Sequence, residues 1–354
     1  MKAIVLYHHT NSLIKINEII KILDHKVQFY YLNYKKDLSS INKFLNFIKK
    51  KKPNFIIDLL LTPDTELRNE TYKKLIKKIY KIRNVIKSYD IKTVKISHSW
   101  LGSNDVFPYK YFLFLRNIFF YFKNFFLEDF YKYHRTSVTI LTSKNCENNE
   151  KFFRTNKIYF KHYDYFLKDR KKKINKRLVY IDQFLYGHPD LVMNGVNLFN
   201  KNKFSTEIKN FFSLLEKDGY KIDIALHPSN ASKIYRSIYG KRNFVKGKTS
   251  DIIIGSSGVV AHDSMAINFA VQAKKPIIFI TTDELQTSRF GKRINTHAKF
   301  FNSALINISK MKINKIHLPK IKKEIYLNYE KKFLKHEKFQ SEKKFKLEFI
   351  KSIS

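Results

Sequence analysis

Two short stretches hold most of the residues that could do chemistry. Residues 222–226 form an apolar run that stops at His227 and Pro228. Residues 252–254 form a second, which stops at Gly255-Ser256-Ser257-Gly258, with His262 and Ser264 close behind. Apolar runs that break into polar loops predict buried strands followed by loops. Ser264 then opens an amphipathic helix, and Lys274-Lys275-Pro276 closes it before the apolar run 277–280. Strands alternating with helices build a parallel sheet, and in such sheets ligands sit outside the carboxyl ends of the strands. His227, Ser256, Ser257, His262 and Ser264 are all expected at that edge. Imidazoles, small hydroxyls and a helix N-terminus there suit an anionic ligand, most simply a phosphate. In the 255–258 loop the glycines let the backbone approach while both serines donate; a plain glycine turn is the alternative. His227 could donate to a phosphate oxygen or protonate a departing group; a bond to a neighbouring carbonyl is the alternative, as it is for His262.

Carboxylates supply the other half of the chemistry. Asp182 directly follows the apolar run 178–181, in the sequence VYIDQFLYGHPDL. It could deprotonate an acceptor hydroxyl, orient it, or stabilise an oxocarbenium-like centre; a cap or turn carboxylate is the other reading. Gln183, His188 and Asp190 share its loop and are candidate acceptor contacts. In the first half, His9, Asp64, Glu66, His98 and Asp105 follow predicted strands. Asp64, just after Pro63 at the end of a strong strand, ranks first as an acceptor-side base, with His9 and His98 beside the acceptor.

The elements that must position these residues alternate along the chain. The first half reads as strands at 3–7, 26–32, 54–61, 91–96 and 138–141, with a helix running to about 23 and a basic helix over 42–52. The run KDRKKKINKR, 168–177, is charged and poor in apolar residues, which predicts a linker. In the second half Ser205 is expected to cap a helix whose apolar face is Ile208, Phe211, Phe212 and Leu215. Alternation continues to about 308, and a Lys/Glu-rich tail over 321–354 has helical spacing at Ile325, Tyr326 and Tyr329. The expected division is 1–170, 178–320 and the tail 321–354.

The order strand, His-Pro, helix, strand, Ser-Ser, helix, Lys-Pro, strand over 178–285 resembles the C-terminal half of two-domain glycosyltransferases of the GT-B type. Within them it looks like the bacterial sialyltransferases and Kdo transferases, which use CMP-activated sugars. The resemblance implies an α/β, GT-B-like fold, with two Rossmann-like domains whose parallel sheets face a central cleft. The first domain would take the acceptor and the second the nucleotide sugar. It assigns His227, Ser256 and Ser257 to the CMP moiety, with Pro228, Gly258, His262 and Ser264 around them, and places Asp182 at the cleft floor. The acidic motif that such sialyltransferases carry in their N-terminal half has no clear match here. The tail is similar to the last helices of such enzymes, which cross back onto the first domain; a solvated surface helix is the alternative.

Composition bounds the rest. The chain has 354 residues, 44% hydrophobic and 16% aromatic, which supports a large core and argues against disorder. Its one cysteine, Cys146, rules out an internal disulfide and any cysteine-based zinc cluster. No Walker, dinucleotide, hydrolase-elbow or H-E-x-x-H motif occurs, so no cofactor beyond the sugar donor and no metal is expected. Lys+Arg 69 against Asp+Glu 30 gives a net charge of +39. That balance points to an anionic partner, with the drift of an AT-rich composition as the other source. An anionic membrane surface is favoured over nucleic acid, because no nucleic-acid fingerprint occurs. The aromatic stretch 109–130, broken by Lys110, Arg116 and Lys123, predicts an interfacial helix; a helix packed between domains is the alternative. With a strand opening the sequence and no apolar leader, the expected location is cytoplasmic, peripheral at the inner face of the membrane. The expected activity is metal-independent transfer of a sialic acid-like sugar or Kdo from a CMP donor to a surface glycan or glycolipid, as in capsule or lipopolysaccharide. The alternatives are a UDP-sugar transferase or epimerase, and a non-catalytic polyanion-binding protein.

Overall fold

The structure, a computed structural model, describes residues 1–7, 16–23, 26–33, 41–59, 81–86, 88–97, 138–149, 156–162, 165, 176–187, 200–228, 230, 234–311 and 315–354. They fall into two units. In the first lie β1 (Lys2–Tyr7), α1 (Asn17–Leu23), β2 (Gln28–Asn33), α2 (Ile41–Lys51), β3 (Phe55–Leu59), β4 (Lys92–Ser97), β5 (Val138–Leu141), α3 (Lys144–Asn149) and β6 (Asn156–Tyr159). The six strands are parallel in the order β2-β1-β3-β4-β5-β6. Residues alternate between two cores, as the period of a strand demands. Ala3, Val5, Phe55 and Ile57 pack with Ile19 and Leu23, while Ile4, Leu6 and Ile56 pack with Phe44 and Ile48. Both faces being covered, β1 is buried from Ala3 to Leu6, the unbroken apolar run typical of parallel strands.

The second unit holds β7 (Arg177–Ile181), α4 (Lys201–Lys217), β8 (Lys221–Leu226), α5 (Tyr235–Tyr239), β9 (Asn243–Lys246), α6 (Thr249–Ile254), β10 (Gly258–Ala261), α7 (Ile267–Gln272), β11 (Ile277–Thr281), α8 (Asp283–Gln286), α9 (Arg289–Phe300), β12 (Leu305–Asn307) and α10 (Lys323–Tyr329). Its parallel strands run β12-β11-β10-β7-β8-β9. The chain steps outward from β7 to β9, returns to β10 on the other side of β7, and steps outward again. Connections leaving β7 and β10 therefore diverge, which opens a crevice above their carboxyl ends. Two Rossmann-like α/β units are thus present.

Three local expectations change. Residues 252–254 are the last turn of helix α6 and not a strand; the strand begins at Gly258. An apolar run of three is too short for its periodicity to separate helix from strand. Helix α4 is capped by Asn200, whose side chain accepts from the Asn202 and Lys203 amides. Ser205 lies within that helix and donates instead to the Ser237 and Ile238 carbonyls. The tail is not one segment. Helix α10 belongs to the second unit, where Tyr326 Oη donates to the Lys275 carbonyl at 2.7 Å and Tyr329 Oη to Asn268 Oδ1 at 2.8 Å. From Lys331 the chain belongs to the first unit. There α11 (Glu342–Ile353) puts Phe345, Phe349 and Ile353 into the core beneath β1 and β3. Phe349 meets Phe55 edge to face, ring centroids 5.7 Å apart. His336 anchors the approach: its buried ring packs against Tyr159 at a tilt of 41°, and Nε2 lies 3.3 Å from Glu147.

Phe349→Ala is expected to lower stability by about 3–5 kcal/mol. Leu347→Ala on the same helix, 64% exposed, is expected to change it by less than about 0.5 kcal/mol. Urea titrations of both variants check the pair.

Candidate functional site

At the carboxyl end of β7 the chain turns sharply through Asp182. Its carboxylate is 2% exposed and accepts four hydrogen bonds. Oδ1 takes the Phe184 amide at 2.7 Å and Tyr239 Oη at 2.8 Å. Oδ2 takes Asn230 Nδ2 at 3.1 Å and the His227 amide at 3.4 Å. One buried carboxylate thus joins the loop after β7, the loop after β8 and helix α5. This is the turn role, and it leaves no lone pair of Asp182 clearly turned toward a substrate. Burial, and then the Asp182 charge, raises the pKa of the Tyr239 and Tyr186 hydroxyls, so both stay protonated donors. Phe184 sits at φ 52°, in the left-handed region, and Gly187 makes room for its ring: a Cβ there would lie 2.7 Å from Phe184 Cζ. Backbone strain of this kind gathers at functional loops.

His227 follows β8 with its ring half-buried beside Phe184, and Pro228 is exposed. The third loop follows β10. Its Asp263 amide donates to Gln183 Oε1 at 2.8 Å, closing the crevice between β7 and β10. The Asp263 side chain is buried against the Arg293 guanidinium, with His297 Nδ1 at 3.6 Å. Ser264 is half-buried, and its Oγ accepts the Ala266 amide at 3.2 Å. The structure therefore gathers Asp182, Gln183, His227 and Ser264 at one sheet edge, together with Asp263, Asn230, Tyr239 and Arg293, which the sequence reading missed. Asp263 could have been found from AHDS, a polar run breaking an apolar strand.

Four expected ligand contacts are not in this group. Ser256 and Ser257 precede β10, so they lie at the amino edge of the sheet, opposite His227. Ser256 is fully buried and donates to the Ile253 carbonyl; the Ser257 amide donates to the Arg177 carbonyl at the start of β7. Gly258 is a packing glycine, since a Cβ there would come within 3.1 Å of Pro276 Cγ and 3.2 Å of Leu178 Cδ2. His262 is a core histidine with no exposed surface. Its Nδ1 donates to the Ile280 carbonyl at 2.8 Å, which fixes the tautomer and leaves Nε2 to accept from Tyr180 Oη at 3.1 Å. His9, Asp64, His98, His188 and Asp190 lie outside the described residues, as do Glu66, Asp105 and the 109–130 segment. Among the described residues no helix is long and apolar enough to cross a membrane, and no group of three His, Cys, Asp or Glu could hold a metal ion.

No family model and no curated protein matches the sequence. Solved structures do resemble it in fold. The glycosyltransferase SnogD from Streptomyces nogalater has a TM-score of 0.52, with 10% identity over 100% of each chain. UDP-GlcNAc 2-epimerase from Methanocaldococcus jannaschii gives 0.49, with 11% identity over 99% of each chain. S. aureus MnaA, in its co-structure with UDP, gives 0.47, with 9% identity over 94% of this chain and 91% of that one. The fold is that of GT-B glycosyltransferases.

Burial lowers the His262 pKa to about 4, against about 6.5 for a free imidazole. Between those values the unfolded chain binds the proton and the folded chain does not, so stability falls as pH falls. From pH 7 to 4 this one group is expected to remove roughly 3 kcal/mol. Urea melts across that range should show a steeper loss in the wild type than in His262→Gln, which does not titrate.

Proposed function

We propose that the protein is a nucleotide-sugar-dependent glycosyltransferase whose donor phosphate sits at the carboxyl edge of the second sheet. The observation that supports this most is the joining of three loops over the β7–β10 crevice, through Asp182–His227 and Gln183–Asp263. Open parallel sheets take their ligands at such a switch point. His227 is given the donor role: half-buried and fixed through its own amide, it can donate to a phosphate oxygen or to the leaving group. Ser264 supplies a hydroxyl from the third loop, and Asp182 acts as a positioning residue. A glycan or glycolipid is the proposed acceptor, with Asp64 as base and His9 and His98 beside it. The proposed setting is a membrane surface reached by residues 109–130 and the excess of Lys and Arg.

The donor base is the finer question. Preference for CMP rested on Ser256 and Ser257 lying beside His227, and those serines are at the other edge. A CMP sugar and a UDP sugar are equally compatible with the remaining residues. The UDP-sugar reading, epimerisation included, stands as the second proposal because the crevice is supported by the same loops in either case.

Calorimetric titration with CMP and with UDP tests the site. At least one nucleotide is expected to bind, and His227→Ala should weaken it by roughly 1.5–3 kcal/mol, the value of a hydrogen bond to a charged group, with the melting curve unchanged. Ser257→Ala should leave binding as it was. No binding of either nucleotide, or equal losses in the two variants, would refute the placement.

A further inference from the structure

We infer that a groove at the edge of the second sheet binds an acidic glycan, at a place separate from the nucleotide. The groove, of about 560 Å³, runs beside edge strand β9 and is lined by Leu226, Asn230, Tyr235, Arg236, Phe244 and Lys246 among others. In its wall Asn230 is 2% exposed. The orientation of that amide is fixed. A carboxylate only accepts, so Nδ2 must face Asp182, and it also donates to Tyr186 Oη at 2.7 Å. Oδ1 is thereby turned away from both and makes no hydrogen bond among the described residues.

The rest of the lining defines the ligand further. Tyr235 and Phe244 have ring centroids 4.6 Å apart with planes tilted by 56°. Tilted rings make no parallel slot for a flat base, but they present faces to the C–H edge of a saturated ring. The Arg236 guanidinium, on an exposed residue, lies 5.9 Å from each ring. Lys246 Nζ donates to the Asn230 backbone carbonyl at 3.0 Å, which holds a cation in the groove wall. Among the described residues no Asp or Glu lines the groove, so its field favours an anion. A saturated sugar ring bearing a carboxylate suits both the ring faces and the cations. Exposed Lys241 and Lys248 flank β9, and a longer chain of such sugars would meet them next. The inference rests on the proposed function only in taking a glycan as the substrate class.

The test titrates the full chain with a sialic acid tetramer, with maltotetraose and with a thymidine tetranucleotide, each with and without saturating CMP or UDP. The sialic acid tetramer is expected to bind whether or not nucleotide is present, and maltotetraose at least tenfold more weakly. Arg236→Ala combined with Lys246→Ala, both on exposed positions, should lower tetramer affinity at least tenfold and leave nucleotide affinity unchanged. Phe244→Ala, which keeps every charge, should also weaken the tetramer. Unchanged binding in the double variant, equal binding of the tetranucleotide, or displacement of the tetramer by nucleotide would overturn the inference. A chain that binds nucleotide but not the tetramer sinks this inference alone. One that binds the tetramer but no nucleotide sinks the proposed function and leaves the groove standing.

Discussion

A carboxylate taken out of water has to be surrounded by donors, and at Asp182 that requirement organises the second unit's working edge. Two donors are backbone amides and two are side chains, and they come from the β7 loop, the β8 loop and helix α5. The β7 loop lies more than forty residues from the other two in sequence. Their relative positions are set by one small group that none of them can leave without stranding a buried charge. The turn at Phe184, the presentation of His227 and the fixed amide of Asn230 all follow from that single demand. Hydrogen bonds to an ionised acceptor are also the stronger kind, so the edge is stiff where a ligand has to be met.

The same device recurs with different partners. On the other side of the crevice the buried Asp263 carboxylate faces Arg293 and His297 from helix α9. It ties the loop after β10 to an element that begins more than twenty residues later. In the first unit Asp58, on β3, is paired with Arg83 Nε at 2.9 Å, and both side chains are less than 10% exposed. A chain with an excess of Lys and Arg has few carboxylates to place, and among the described residues Asp58, Asp182 and Asp263 are buried where loops or helices meet strands. Such a group is worth little as net attraction, but removing either partner is expensive, so these pairs fix geometry more than they add stability.

Much of the fold was legible because parallel strands covered on both faces spell themselves as apolar runs. Those at 3–7, 178–181, 222–226 and 277–280 all lie on strands, and the parallel α/β architecture followed from their alternation with helices. What failed was local. Residues 252–254 have the composition of a strand and the structure of a helix turn, and that one exchange moved Ser256 and Ser257 to the wrong edge of the sheet. His262 was expected at the edge because it follows a strand; its two ring nitrogens are used up by Ile280 and Tyr180, partners far away in sequence. Asp182 was legible as a residue at the edge, whereas the four donors that define what it does come from positions up to 57 residues away. Contacts of that span depend on topology, which spacing along the chain does not encode.

The chain's return to the first unit has a consequence for its synthesis. The core beneath β1 and β3 includes Phe345, Phe349 and Ile353, yet the last strand of that sheet, β6, ends at Tyr159. A nascent chain leaves the ribosome at roughly 5–20 residues per second, so the sheet is finished about 10–40 s before the helix that covers it exists. In that interval α1 covers its apolar face without α11, and the second unit, which ends at Glu330, is made before that helix. The unit that begins first is thus completed last.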